Sequence, residues 1–204
     1  MVGSGAGFCR GDPRVNKLVL FALAAVLVTG LSGCAQLAMK AVTVSAGVAI
    51  DRRTAGAQLE DESIQLRAAS ALGERLAANA NITVTSYNRQ VLVTGEVPDA
   101  ASKQAVEQAV SQFENVSRVF NELAVMNAST LAQRGFDAYL TARIKVALVD
   151  ARGLTVTAFR IVTERGTVYL MGRVTPLEAE RATALVRQIG GVRRVVRLFE
   201  IINE

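Results

Sequence analysis

The hydrophobic and polar positions of this chain follow one pattern twice, since residues 61–127 align with residues 137–204 at a shift of 76 to 77 positions. Each copy opens with an apolar face spaced i, i+4, i+7 and i+8, which predicts an amphipathic helix. These faces consist of Ile64, Ala68, Ala71 and Leu72 in the first copy and Leu140, Ile144, Ala147 and Leu148 in the second. Self-similarity of this kind indicates duplication of one structural unit.

Alternating apolar residues then predict two β-strands in each copy. The first strands are expected at 82–85 and 154–157, and the second at 91–97 and 168–174, with polar turns at 87–90 and 163–166 between them. The side chains expected to face the core are those of Val91, Val93, Val97, Val168, Leu170 and Val174. Gly95 and Gly172 lie inside the second strands, where we expect a bulge or the close approach of other backbone, such as a packed helix.

A second helix and a closing strand complete each copy. The helices have apolar residues at i, i+3, i+4 and i+7, namely Val106, Ala109, Val110 and Phe113, and Ala182, Leu185, Val186 and Ile189. The closing strands are expected at 116–125 and 192–202. Each copy is therefore predicted to be an α+β unit of order αββαβ, with a three-stranded mixed sheet and two helices packed on one face. Units of this size are able to fold on their own.

The start of the chain has the pattern of an export signal. Arg14 and Lys17 precede an unbroken apolar run, 18–28, that is too short to span a membrane as a helix. The run ends at Leu31-Ser32-Gly33-Cys34, which resembles a bacterial lipobox. That resemblance implies cleavage before Cys34 and attachment of lipid to it. The alternative is an ordinary signal peptide followed by a chance cysteine.

Two neighbouring residues refine this prediction. Ala35 follows the cysteine, and an alanine rather than an aspartate there implies sorting to the outer membrane by the pattern of such lipoproteins. Val15 would make a compact start of the signal, in which case Cys9 has no role.

The composition excludes most catalytic chemistry after Cys34. The chain has no His, and its two Cys, Cys9 and Cys34, both lie near the start, so histidine-dependent triads, cysteine nucleophiles and the common zinc sites are excluded beyond that point. The carboxylates of Asp61 with Glu62, and of Glu178 with Glu180, are interpreted as charges near helix N-termini. We therefore expect a non-enzymatic protein without a cofactor, apart from covalent lipid on Cys34.

The surfaces of the two copies are predicted to differ in charge. Residues 61–127 carry 5 Lys and Arg against 8 Asp and Glu, a net charge of −3, whereas residues 137–204 carry 11 against 7, a net charge of +4. A sequence pI near 9.7 also suggests nucleic acid, but an exported chain does not meet it. Arg193, Arg194 and Arg197 on the last strand are interpreted as a solvated edge that discourages strand addition.

A second stripe distinguishes the first helix of the second copy. It consists of Phe136, Tyr139, Arg143 and Val146, with Lys145 close by, where the first copy has Glu60, Ser63, Arg67 and Ser70. Aromatic rings beside cations suit a surface of anionic phospholipid, because the rings enter at the headgroup level and the cations stay with the phosphates. Packing against the first copy or against the preceding linker, and contact with a protein partner, are the alternatives.

Three sequence features carry a resemblance to a known family. The second strand of the second copy matches V-x-L-x-G-x-V (168–174), and G-V-x-x-V (191–195) precedes its last strand, as in BON domains. Two such units behind a lipobox, with Asp51-Arg52-Arg53-Thr54 leading into the first, resemble the dual-BON-domain outer-membrane lipoproteins of the DolP family. The first unit departs from the pattern, with Asn115-Val116 where the second has Gly191-Val192.

The resemblance implies both an organisation and a function. The expected organisation is a signal peptide at 1–33, a lipidated linker at 34–60, BON domains at 61–127 and 137–204, and a short linker at 128–136. The chain is expected to be lipid-anchored on the periplasmic face of the outer membrane, to be monomeric in its soluble part, and to support envelope integrity.

The expected ligand is a membrane of anionic, phosphatidylglycerol-like phospholipid, bound through the first helix of the second BON domain. The residues predicted to bind it are Phe136, Tyr139, Leu140, Arg143, Lys145 and Val146. Of these, Tyr139, Arg143 and Lys145 occupy the positions that match the family's binding helix. The alternative is an adaptor for envelope proteins that assemble the outer membrane or remodel peptidoglycan.

Overall fold

The computed structural model describes residues 51–76 and 80–203, with side chains described at 51–72 and 80–203, so the predicted signal peptide and Cys34 lie outside the described residues. The elements of the first repeat are α1 (Ala55–Leu76), β1 (Asn81–Tyr87), β2 (Gln90–Val97), α2 (Ala100–Ser111), β3 (Arg118–Asn121) and β4 (Ala124–Val125). Those of the second are α3 (Leu131–Asp150), a 3-10 turn (Val156–Ala158), β5 (Phe159–Glu164), β6 (Thr167–Val174), α4 (Pro176–Arg187) and β7 (Arg194–Ile201).

The two sheets have the same topology. In the first, β1 pairs with β2 in antiparallel orientation, and β3 and β4 both pair with β2 in parallel orientation as two halves of one broken strand. In the second, β5 and β6 are antiparallel and β6 and β7 are parallel. The predicted α+β fold, with two αββαβ units that each contain a mixed sheet, is confirmed.

The core of each repeat lies between its helices and its sheet. In the first repeat it contains Ile64, Ala68, Leu72, Val91, Val93, Val97, Val106, Val110 and Leu123, and in the second Leu140, Ile144, Leu148, Val168, Leu170, Val174, Ala182 and Val186. The predicted inward faces of the helices and second strands are therefore confirmed, except that Ala71 and Ala147 are partly exposed and belong to neither core. Ala109, Phe113, Leu185 and Ile189 pack against these cores while remaining partly exposed.

One predicted strand is wrong. Residues 154 and 155 form a loop, residues 156 and 157 belong to the 3-10 turn, and the first strand of the second repeat is β5, which ends at Glu164. The two-residue turn at Arg165 and Gly166, with φ of 50° and 74°, joins β5 directly to β6 and decides this register. Leu154 and Val156 still pack against the core, which explains why their alternation resembled that of a strand.

The first helix of each repeat begins earlier than predicted. α1 begins at Ala55 and α3 at Leu131, each six residues before the expected domain start, so α3 occupies most of the stretch predicted as the 128–136 linker. A capping box explains the second start: the Thr130 hydroxyl accepts from the Gln133 amide, and the Gln133 side chain accepts from the Thr130 amide.

The face of each sheet that is not covered by helices packs against the other sheet. Tyr87 and Leu92 of the first repeat form a buried cluster with Tyr169, Met171 and Leu198 of the second. Leu92 on β2, and Tyr169 and Met171 on β6, alternate along the strand with residues of the helix-facing cores. Both faces of these second strands are therefore buried. This contact joins the two repeats into one unit.

Polar contacts across the same junction add to it. The Arg165 guanidinium binds the fully buried Glu96 carboxylate at 2.5 Å, and the side-chain amide of Asn88 donates to the Glu200 carboxylate. The Tyr87 hydroxyl donates to the Ala158 carbonyl at 3.2 Å. Each contact joins a hairpin or strand end of one repeat to the other repeat.

The residues that precede α1 contact both repeats as well. Arg52 pairs with Glu178 of the second repeat at 2.7 Å, whereas Arg53 pairs with Asp61 of the first at 2.7 Å. The Arg53 guanidinium also lies 4.3 Å from the centre of the Tyr87 ring, a cation–π distance. The segment that leads from the predicted lipidation site therefore meets the folded unit at the junction of the repeats.

Gly95 and Gly172 allow the close approach of neighbouring backbone, as predicted, although the approaching group is not a helix. A Cβ atom at Gly95 would collide with the carbonyl of Asn81, and one at Gly172 with the carbonyl of Ala158. Gly95 also has a φ of +116°, which disfavours any side chain.

A buried aspartate on the first helix of each repeat holds the hairpin turn below it. Asp61 accepts hydrogen bonds from the backbone amides of Asn88 and Arg89, and Asp137 accepts from those of Arg165 and Gly166. The prediction that Asp61 is a helix N-terminal charge is therefore wrong, since its carboxylate caps a turn 27 residues away. Asp61 and Asp137 occupy the same position in the two repeats, and this match was the signal in the sequence that could have revealed their role.

We expect the substitution Asp137→Asn to lower the free energy of unfolding by about 2 kcal/mol, because an amide NH₂ would face a backbone N–H that loses its acceptor. Asp150→Asn, on the exposed end of the same helix, is the matched control and should change it by less than about 0.5 kcal/mol. Denaturant unfolding of both variants measures the difference. Equal effects would contradict the role of Asp137 as a turn cap.

Candidate functional site

The outer face of α3 carries most of the residues that the sequence singled out. Phe136, Tyr139 and Val146 are 50%, 57% and 60% exposed. The Phe136 and Tyr139 rings are neighbours, with centroids 6.4 Å apart. The alternative that these aromatic residues are buried between the repeats is therefore wrong, and they form an open surface, here called the α3 stripe, of Phe136, Tyr139, Arg143 and Val146.

Leu140 does not belong to this surface. Its side chain is fully buried in the core of the second repeat, together with Ile144 and Leu148. The prediction that Leu140 contacts a ligand is corrected: helical spacing places it one turn from Phe136 but on the inward side. Its packing supports the stripe from beneath.

Two exposed apolar residues of α3 were missed. Leu131 begins the helix in the stretch predicted as linker, and Val149 lies one turn beyond Val146. The i, i+3 spacing of Val146 and Val149 was visible in the sequence. Leu131 could have been found only from the capping box that starts the helix at that residue.

One cation belongs to the α3 stripe and a second lies close by on the same helix. The Arg143 guanidinium lies 5.8 Å from the centre of the Tyr139 ring, and it donates to the Gly190 carbonyl beyond α4 at 3.4 Å. Lys145 lines a polar cleft of about 350 Å³ between α3 and the strands β1 and β5, together with Thr141 and Arg160. Arg143 and Lys145 thus add two positive charges to the helix that carries the exposed apolar side chains.

The first repeat shows how this charge differs from its counterpart. Arg67 occupies the position of Arg143 and pairs with Glu60 at 2.8 Å. In α3 the position of that glutamate is taken by Phe136, and among the described residues no carboxylate lies within ion-pair distance of Arg143. A phenylalanine in place of the glutamate therefore removes the ion-pair partner of the arginine and adds an aromatic ring.

Glu96, Glu164 and Asp137 form an acidic cluster near the N-terminal turns of α3. Burial opposes ionisation of Glu96, but hydrogen bonds from Arg165, the Ser129 amide and Asn81 outweigh it and lower the pKa of Glu96. Glu164 has one carboxylate oxygen that is buried without a hydrogen-bond partner. Its burial, together with the charges of Glu96 and Asp137, raises the pKa of Glu164 to about 7.

The stability of the protein should therefore depend on Glu164 between pH 4.5 and 7. Because its folded-state pKa of about 7 exceeds the ordinary value of 4.5, the folded state binds more protons in this window, and stability falls as the pH rises through it. Denaturant unfolding should give a lower free energy of unfolding at pH 8 than at pH 5 in the wild type, and a smaller difference in Glu164→Gln. Glu180→Gln, which changes an exposed carboxylate, is the control and should behave as the wild type does. A difference in Glu164→Gln as large as in Glu180→Gln would contradict the prediction.

Within the described part of the chain, two kinds of site are not found. No described helix combines the length and the apolar character that crossing a bilayer requires. No group of three or more acidic, cysteine or histidine side chains among the described residues could hold a metal ion.

Comparison with known proteins defines the class. The BON-domain profile matches residues 60–127 and 136–203, the two αββαβ repeats. The chain is 32% identical to outer membrane lipoprotein DolP of Haemophilus influenzae over 85% of this chain and 91% of that protein. It is 28% identical to the 21 kDa hemolysin of Actinobacillus pleuropneumoniae over 76% of this chain and 80% of that protein.

The chain therefore belongs to the outer-membrane lipoproteins with two BON domains. The predicted location, with a lipid anchor on the periplasmic face of the outer membrane, agrees with this family. A solved structure of CdsD, a structural protein of the type III secretion system of Chlamydia trachomatis, is 10% identical over 69% of this chain and 92% of that chain. Its TM-score of 0.29 supports no conclusion about fold or function.

Proposed function

We propose that the α3 stripe docks on anionic phospholipid in the periplasmic leaflet of the outer membrane, while lipid on Cys34 keeps the chain at that membrane. The docked protein has no catalytic role and supports the integrity of the envelope. It does so by concentrating the folded unit where anionic phospholipid is abundant.

One observation carries this proposal. The equivalent helix positions hold an ion pair, Glu60 with Arg67, in the first repeat and an exposed ring with an arginine, Phe136 with Arg143, in the second. That arginine has no carboxylate partner among the residues whose side chains the structure describes. The scaffold beneath is the same in both copies, so the difference lies in what the surface can contact. An exposed aromatic and aliphatic stripe with cations on the same helix fits the boundary between headgroups and acyl chains.

The energetics favour a weak contact supported by the anchor. Each basic residue near an anionic membrane contributes about 1 kcal/mol, so Arg143 and Lys145 add modestly to the burial of the apolar side chains. Cys34 and Asp51 are 17 positions apart, which allows a span of at most about 60 Å. A tether of this length gives the stripe a high effective concentration at the leaflet that holds the anchor.

A protein-binding adaptor is the second candidate, and a separate surface favours it. Leu59 and Leu66 are exposed on α1 and lie two helical turns apart. The first repeat has a net charge of −3 and offers few cations to a phospholipid surface. An envelope protein that assembles the outer membrane or remodels peptidoglycan would suit this face better than a bilayer does.

Vesicle flotation tests the docking proposal. The mature chain with Cys34→Ser should float with phosphatidylcholine vesicles that contain phosphatidylglycerol and should remain unbound with phosphatidylcholine alone. The double variant Tyr139→Ala, Arg143→Glu should lose about ten-fold or more in binding, since it removes a ring and reverses a charge. High salt should weaken wild-type binding because it screens the charges.

The double variant Leu66→Ala, Arg67→Glu is the matched control, because it makes the same kinds of change on the same helix of the first repeat. It should bind phosphatidylglycerol vesicles as the wild type does. Equal binding of both double variants, or wild-type binding that does not depend on phosphatidylglycerol, would overturn the docking proposal. Crosslinking that recovers one stoichiometric protein through Leu59 and Leu66 would support the adaptor instead.

A further inference from the structure

A cavity of about 290 Å³ lies beside the first turns of α3, between Phe136 and Arg193. We propose that this cavity binds the phosphate group of a single anionic phospholipid molecule, with the guanidinium of Arg193 as the cation that receives it. The proposal rests on the docking function above and adds to it a defined headgroup site that includes residues outside α3.

Arg193 is placed by backbone contacts at the wall of the cavity. β7 begins at Arg194, so Arg193 belongs to the preceding loop rather than to the strand edge that the sequence suggested. Its amide donates to the Gly166 carbonyl at 2.8 Å. Its Cγ and Cδ atoms lie 3.1 and 3.2 Å from the point where a Cβ of Gly166 would stand, so a side chain there would displace the arginine stem.

The other charged groups of the cavity already have partners. The Asp137 carboxylate accepts from the Arg165 and Gly166 amides at 2.7 and 2.9 Å. The Arg165 guanidinium binds Glu96. No carboxylate of the residues described lies within ion-pair distance of Arg193, so its positive charge remains for a ligand.

Phe136 forms the opposite wall because Gly191 leaves room for it. A Cβ atom at Gly191 would stand 3.0 Å from Cζ of the Phe136 ring, and Gly191 has a φ of +103°. The ring is held against this glycine while half of it stays exposed. An apolar wall therefore lies directly beside the cation.

The first repeat again serves as the comparison, since its backbone has the same contact. The Ser117 amide donates to the Arg89 carbonyl at 2.9 Å, which corresponds to the bond from Arg193 to Gly166. Three residues that line the cavity nevertheless differ from their counterparts: Phe136, Gly166 and Arg193 stand where the first repeat has Glu60, Arg89 and Ser117. Gly191, which contacts Phe136, stands where the first repeat has Asn115. The exchanges introduce one ring, one cation and the two glycines that give them space.

The chemistry of the walls indicates a phosphate on an apolar molecule. A guanidinium matches phosphate oxygens with two parallel hydrogen bonds, which an ammonium group does not provide. Phe136 lines the cavity and its ring is a neighbour of the exposed Tyr139 ring, and free phosphate would use neither ring. A phospholipid uses both parts, with its phosphate at Arg193 and its glycerol and acyl groups against the rings.

Titration with a short-chain lipid below its micelle concentration tests the site without a membrane. Dihexanoyl phosphatidylglycerol is added to the ¹⁵N-labelled mature chain with Cys34→Ser, and amide shifts are followed. We expect the amides of Gly166, Gly191 and Arg193 to move, and Arg193→Ser, which installs the residue of the first repeat, to weaken binding about ten-fold. Inorganic phosphate should bind there more weakly than the lipid.

Arg197→Ser is the matched control, because it removes the same charge from an exposed site on β7 and should change affinity by less than about two-fold. Gly191→Asn, also taken from the first repeat, should weaken binding by displacing Phe136, and cooperative thermal unfolding checks that each variant is folded. Equal effects of Arg193→Ser and Arg197→Ser would overturn the cavity site. Amide shifts confined to Tyr139–Val149 would also overturn the cavity site but would leave the membrane-docking proposal intact. Failure of the wild type to bind vesicles that contain phosphatidylglycerol would overturn the docking proposal itself.

Discussion

The packing of one sheet against the other is the constraint on which the rest of this structure depends. Each sheet is covered by two helices on one face, and its second face is closed by Leu92, Tyr169, Met171 and their neighbours across the junction. With both faces of the central strands buried, the open surface of each repeat is provided mainly by its helices, turns and strand edges. Differences between the copies that affect binding therefore have to arise there.

Buried polar groups give that arrangement a definite orientation. Burying a charge is unfavourable unless it is paired, and Glu96 meets this requirement with Arg165 and two further donors. The next residue of the same hairpin turn, Gly166, is held by Asp137 of α3. The foot of α3 is thereby tied to its own sheet and to the first repeat.

The two copies share a scaffold and differ in a few side chains with large physical consequences. Glu60 neutralises Arg67, whereas Phe136 adds apolar area and leaves Arg143 without a carboxylate partner in the described part of the chain. Asparagine tolerates the positive φ of 65° at Asn115, whereas the φ of +103° at Gly191 favours glycine. The glycine also leaves room for the Phe136 ring, since a Cβ atom at Gly191 would stand 3.0 Å from its Cζ atom.

The sequence by itself determined the repeat, the order αββαβ, the core faces and the family, because helices and strands bury residues at different periods that can be recognised locally. It misplaced the strand at 154–157, because Leu154 and Val156 alternate as strand residues do although they pack from a loop and a 3-10 turn. Only the tertiary structure decided that Phe136 and Tyr139 are exposed, that Leu140 is not, and that Asp137 caps a turn. Periodicity shows which residues are buried but not what buries them, and contacts such as that of Arg193 with Gly166 depend on how distant elements pack.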